Sequence, residues 1–173
     1  MEHSIFSVKE PESQPELSYL PGSPEKALLK AEIDRQYNSF IEIPCIINGQ
    51  AVYTGNTVEL IMPDEKQHVL GRVHLAGEKE LTAAKASALE AHKSWEELPY
   101  EHRFAIFLRA ASVLVSNPWH DRIAAATILN QAKTIVQTEG DSGSGLIDLI
   151  RYDVYNTSCI YAEQPNSLAG SVK

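Results

Sequence analysis

Three glycines in six residues, Gly140-Asp141-Ser142-Gly143-Ser144-Gly145, are the first place in this 173-residue chain to look for chemistry. A glycine-rich loop bares backbone amides that can hold a phosphate. This one lacks the Gly-Lys-Ser/Thr that closes a phosphate loop. It also follows a predicted helix, where a dinucleotide fingerprint must follow a strand. A turn or a weak helix junction fits better. Histidines stand at 3, 68, 74, 92, 102 and 120. His68 and His74 are six apart in a predicted strand, and alternation places both on one face. A metal centre needs a further ligand at workable spacing, and none follows. Cys45 and Cys159 are far apart, lack metal-ligand spacing, and read as small buried apolar side chains rather than nucleophiles. Glu96, Glu97 and Glu101 flank Pro99, in a surface turn with little burial to separate the pKa values of a carboxylate pair. There is no nucleophile elbow from which to argue a serine triad. The residues thus offer no catalytic group, no cofactor-binding group and no metal ligand.

Composition narrows the classes. The chain has 43% hydrophobic residues, enough for one domain with a core. Its net charge of −8, from 15 basic and 23 acidic residues, argues against a phosphate-backbone partner. Two cysteines cannot form a disulfide framework, which points to a reducing compartment. No apolar run approaches the ~20 residues of a membrane span. The N-terminus has no secretory core and carries Glu2, Glu10, Glu12 and Glu16, unlike an acid-poor transit peptide. A cytoplasmic protein is expected, or one of the mitochondrial matrix if the source is eukaryotic.

The elements that would position any site follow from periodicity. Residues 1–22 hold Pro11, Pro15 and Pro21 among polar residues and read as an extended arm outside the core. Ser23-Pro24 opens a helix with Leu28, Leu29, Ile33 and Tyr37 at helical spacing. Strands follow: Cys45–Ile47, an Asn48-Gly49 hairpin turn, Gln50–Thr54, Thr57–Met62 and His68–Leu75. Four helices come next. The first, Glu78 to Leu98, carries Leu81, Ala84, Ala88, Ala91 and Trp95 on one face. The second, from Glu101, carries Phe104, Phe107, Leu108, Ala111 and Leu114. The third, Trp119 to Glu139, turns Ile123, Ala126, Leu129, Ile135 and Val136 inward. The fourth, Gly145 to Glu163, turns in Leu146, Leu149, Ile150, Val154 and Tyr161. Gln164-Pro165-Asn166 should end it, and a polar tail runs to Lys173.

Several strings, in order, resemble the N-terminal part of the aldehyde dehydrogenase superfamily. They are Ile43-Pro44-Cys45, Val52-Tyr53-Thr54, Gln67-His68-Val69, His74-Leu75-Ala76, Arg103 with Phe107-Leu108-Arg109-Ala110-Ala111, and Gln131-Ala132-Lys133-Thr134. Gln137 with Glu139, Leu146-Ile147-Asp148 with Arg151, and Tyr161-Ala162-Glu163-Gln164-Pro165 complete the set. The branch most similar oxidises L-glutamate γ-semialdehyde, the 1-pyrroline-5-carboxylate dehydrogenases. The resemblance runs from about Gly22 to Asn166. It implies an α/β fold: an early β-meander, then four helices that would cover a parallel Rossmann-like sheet in the whole enzyme. It also implies a cysteine thiolate that attacks the aldehyde, hydride transfer to NAD⁺, and a glutamate that activates water. In the family those parts lie downstream of Lys173, and Cys45 and Cys159 match no catalytic position. The family usually has a glutamate just before Leu-Ile-Asp, on the wall of the substrate entrance, where this chain has Gly145.

The expectation is therefore a fragment: an arm (1–22), then a partial NAD-binding-domain scaffold (23–173). By itself it should bind no NAD and oxidise nothing in proline catabolism. Helix faces without their sheet should leave exposed patches, favouring self-association or union with a full-length homologue. A non-catalytic assembly module and a free-standing helical adaptor are the alternatives. Gly140, Gly143 and Gly145 are either helix damage, costing about 1 kcal/mol each, or a real turn with positive φ.

Overall fold

The computed structural model describes residues 7–163 and 170. The predicted helix end at 164–166 and the tail lie outside these residues. The chain is α/β: five short strands, then helices, with one helix ahead of the strands. Helix α1 is Pro24–Tyr37. The hydroxyl of its N-cap Ser23 accepts from the Lys26 amide (3.4 Å), and Pro24 fills the first turn, where no N–H is needed.

The strands lie close to where periodicity puts them, but they form two sheets rather than one continuous meander. Strands β2 (Cys45–Ile47) and β3 (Gln50–Val52) make a hairpin. Asn48 and Gly49 both have positive φ (50° and 72°), the geometry a two-residue loop needs to match strand twist. The other sheet has the order β1-β5-β4. Strand β5 (Val69–His74) pairs antiparallel with β4 (Thr57–Ile61) and parallel with β1 (Ile41–Ile43). Strand β1 was missed because Ile41-Glu42-Ile43 is too short a run for periodicity to register, and all three residues are exposed.

Helices α2 (Glu78–Glu97) and α3 (Tyr100–Val115) follow the sequence closely, broken by Leu98-Pro99, where Leu98 is extended ahead of the proline. Their packing does not follow it. Leu81, Ala84, Ala88, Ala91 and Trp95, the expected inner face of α2, are all exposed, and α2 has no buried residue. In α3 only Phe104 and Ala111 are buried, and Phe107 is exposed.

The expected third and fourth helices divide elsewhere. Helix α4 ends at Gln131 (Trp119–Gln131), where Ala132 turns left-handed (φ 52°). Thr134 then opens a new helix through a capping box. Its hydroxyl accepts from the Gln137 amide (3.3 Å), and the Gln137 side chain accepts from the Thr134 amide (3.0 Å). This helix runs on as α5 (Ile135–Thr138), a π-helical segment (Glu139–Gly143) and α6 (Ser144–Ala162). The glycine-rich stretch is therefore neither a turn nor a break. None of Gly140, Gly143 and Gly145 has positive φ. The wide π turn carries the Gly140 carbonyl against Gly145, so a Cβ there would collide with backbone. A Cβ on Gly143 would press on the Glu139 carboxylate, and one on Gly140 meets nothing within 4 Å. The extra residue of a π turn also shifts the phase of the helix after it. Ile147 is buried in α6, while Leu146 is half-buried and Leu149 exposed.

The arm is not outside the core. Tyr19, with positive φ, is buried in one apolar cluster with Leu29 of α1 and Ala124 and Ala125 of α4.

Candidate functional site

Two places gather polar or aromatic side chains. The first joins the arm, α4 and the π segment. Glu139 opens the π segment and is 3% exposed. Its Oε2 accepts from the Tyr19 hydroxyl (2.7 Å), and its Oε1 accepts from the Leu17 amide (3.2 Å). The His120 Nε2 lies 3.5 Å from Glu139 Oε2, and its Nδ1 lies 3.7 Å from Asp121 Oδ1. All four side chains are buried. The Ser144 hydroxyl donates to the Glu139 carbonyl (3.0 Å), which ties α6 to the π turn. Beyond the cluster, Asp148 of α6 accepts from the Gln14 amide (2.7 Å), and Arg151 donates to the Gln14 side chain (3.0 Å). Burial, then the Glu139 hydrogen bond and charge, push the Tyr19 hydroxyl upward. Burial raises the Asp121 carboxyl, partly offset by His120. Both Glu139 oxygens are already engaged, so the cluster is arranged to hold segments together.

The second place is a cleft of about 390 Å³ between the end of α2, α3 and α6. Trp95, Phe104, Phe107, Val154 and Tyr161 form its apolar wall. Arg103 enters it and donates to the Tyr161 hydroxyl (3.0 Å), and the Tyr161 ring stacks on Tyr100 (4.6 Å between centroids). Its wall lacks the glycine-rich amides that hold a nucleotide phosphate.

The residues singled out by type go elsewhere. His68 and His74 do not share a site. His68 stacks on Tyr37 (3.9 Å) with its Nε2 on the Tyr37 carbonyl, while His74 Nδ1 accepts from the Gly55 amide. The other ring nitrogen of His74 therefore carries the proton, 3.0 Å from Glu42 Oε1. Cys45 and Cys159 are half-buried rather than buried, and Cys45 Sγ donates to the His74 carbonyl (3.4 Å). Glu96, Glu97 and Glu101 lie at the α2–α3 turn, with Glu96 beside His92 (3.5 Å) on the surface. Among the described residues no group of three or more His, Cys, Asp or Glu side chains could hold a metal ion. Sequence reasoning missed the Tyr19–His120–Asp121–Glu139 cluster because Tyr19 and Glu139 are 120 residues apart. The local signal was the Thr134-x-x-Gln137 capping box, which would have placed Glu139 one turn inside a helix.

The order of these elements has known counterparts. The model of the aldehyde dehydrogenase family matches residues 51–172. This chain belongs to the aldehyde dehydrogenase family. Over 163 residues it is 38% identical to the delta-1-pyrroline-5-carboxylate dehydrogenase of Agaricus bisporus, covering 94% of this chain and 30% of that protein. It is 31% identical to the mitochondrial delta-1-pyrroline-5-carboxylate dehydrogenase of Homo sapiens, covering 92% of this chain and 28% of that one. Its fold superposes on the Delta-pyrroline-5-carboxylate dehydrogenase of Mycobacterium tuberculosis bound with NAD. There the TM-score is 0.89 and the identity 34%, covering 97% of this chain and 31% of that one. This aldehyde dehydrogenase stretch therefore spans between a quarter and a third of the length of those relatives.

Proposed function

We propose that these residues are the N-terminal scaffold of an NAD-dependent dehydrogenase that oxidises L-glutamate γ-semialdehyde to L-glutamate. In that role they supply no catalytic residue, no cofactor contact and no metal ligand. The reading is carried by the extent of the match, over nine-tenths of this chain, to proteins named for that substrate. The cysteines support the second half of it: Cys45 faces a backbone carbonyl, and a thiol needs a base or a cation nearby to become a nucleophile. Alone, the chain should form no NADH from glutamate semialdehyde above a blank. NADH formation abolished by thiol alkylation would overturn this, and so would micromolar NAD binding by calorimetry. The expected compartment is the cytoplasm, or the mitochondrial matrix in a eukaryote. Among the described residues no helix is long and apolar enough to cross a membrane.

A second reading, an assembly module that associates with itself or with a full-length homologue, is favoured by α2, which exposes Leu81, Leu89 and Trp95 and buries nothing. Mixing the chain with a full-length homologue and measuring subunit stoichiometry tests it. Unmixed species would count against it.

A further inference from the structure

We propose that the cleft between the end of α2, α3 and α6 binds a free α-amino acid with an aromatic or large apolar side chain, its carboxylate on Arg103 and its ammonium toward Asp153. The shape comes first. The volume, about 390 Å³, lies within the range of small-molecule sites, and the lining is mostly aromatic and aliphatic. Phe104 and Val154 are buried and close the floor, at 6% and 4% exposed. Trp95 and Phe107 stand over them with 39% and 47% of their surface in water. That leaves two large apolar side chains facing an unfilled space, and an apolar ligand group would cover both.

The charges then choose the ligand. Arg103 is half-buried on α3, and its guanidinium has five N–H donors. One is spent on the Tyr161 hydroxyl (3.0 Å), and the buried Nε has no partner. Among the described residues no carboxylate lies within ion-pair distance of it. A half-buried cation without an anion is costly, and a carboxylate matches the planar fork of its remaining donors. Asp153 lines the same cleft from α6. Its backbone carbonyl accepts from the Thr157 hydroxyl (2.6 Å), but among the described residues its carboxylate meets neither a donor nor a cation. Arg103 and Asp153 are thus opposite charges on one cleft that do not pair with each other. A simple carboxylate would satisfy Arg103 and meet repulsion from Asp153, and a simple amine would do the reverse. A zwitterion satisfies both, and the apolar wall selects its side chain. Every group this needs lies in the chain.

The test titrates the whole chain with L-phenylalanine and follows Trp95 emission, in a Trp119→Phe background that leaves Trp95 as the one tryptophan. The response should saturate below about 10 mM. L-Phenylalanine should bind at least about tenfold more tightly than 3-phenylpropionate or phenethylamine, each of which lacks one of its two charges. Arg103→Gln should weaken L-phenylalanine at least about tenfold. Asp153→Asn should remove most of the preference over 3-phenylpropionate and keep the preference over phenethylamine. No saturable response overturns the proposal, and so does equal binding of the three compounds, which would mark a merely apolar cleft. A preference over 3-phenylpropionate that survives in Asp153→Asn overturns it as well. Trp95 emission that changes with protein concentration and not with ligand would place a second copy over the cleft instead. If Arg103→Gln does not fold, the three-compound series in the Trp119→Phe background and in Asp153→Asn decides.

Discussion

Helix α2 carries much the stronger apolar periodicity, yet it and the helix pair α1–α4 meet opposite fates. In α1–α4 the apolar face closes on itself: Leu29, Ala124 and Ala125 are at most 2% exposed, and the arm adds Tyr19. In α2 a sharper apolar stripe touches the β2 hairpin and leaves Leu81 and Leu89 64% exposed. The difference teaches that periodicity states that a face needs a partner, and says nothing of where the partner is.

The largest break in that comparison is a matched pair of truncations. Leu29→Ala should cost about 2–5 kcal/mol, from lost transfer energy and the cavity left behind. Leu89→Ala should stay within about 0.5 kcal/mol. Urea unfolding measures both, and similar values would mean that the two faces are equally buried in solution.

The π segment sharpens the contrast within one helix. Gly145→Ala should destabilise by about 1–3 kcal/mol, because the new Cβ meets the Gly140 carbonyl. Gly140→Ala has open space and should stabilise by up to about 1 kcal/mol. Melting temperatures moving the same way in the two variants would contradict the π geometry.

Acid separates two carboxylates that flank the α1–α4 core. The Arg35 hydrogen bond holds Glu32 down at about 2, from 4.5. Its contribution to stability is present above 4.5 and is lost as pH falls toward 2. Glu32→Gln should flatten that part of an acid-unfolding curve. Asp121 has the opposite sign: its raised pKa means that its contribution is lost as pH rises through the folded value. Asp121→Asn should therefore remove slope on the alkaline side of that carboxyl titration. An acid limb unchanged in Glu32→Gln would count against the ion pair.

The smallest effect on stability belongs to α2. Leu81→Glu with Leu89→Glu should change unfolding free energy by under about 0.5 kcal/mol per site. Self-association measured by light scattering should fall if that face joins copies, and unchanged association would place the contact elsewhere.

Local chemistry by itself determined most element boundaries here. Ser23-Pro24, Asn48-Gly49 and Leu98-Pro99 each act within a few residues, through capping, positive φ or a missing N–H, so they are legible in order along the chain. The order of strings also carried the family. Tertiary structure decided the rest. It paired β1 with β5 across 30 residues, drew the proline-rich arm into the core through Tyr19, and kept three glycines helical by opening a π turn. It also built the one buried acid–histidine cluster seen among the described residues, from positions 19, 120, 121 and 139. Each of these depends on burial shared between distant segments. A buried carboxylate is stable only beside its partners, and nothing within a few residues of Glu139 in the sequence names Tyr19 or His120 as those partners.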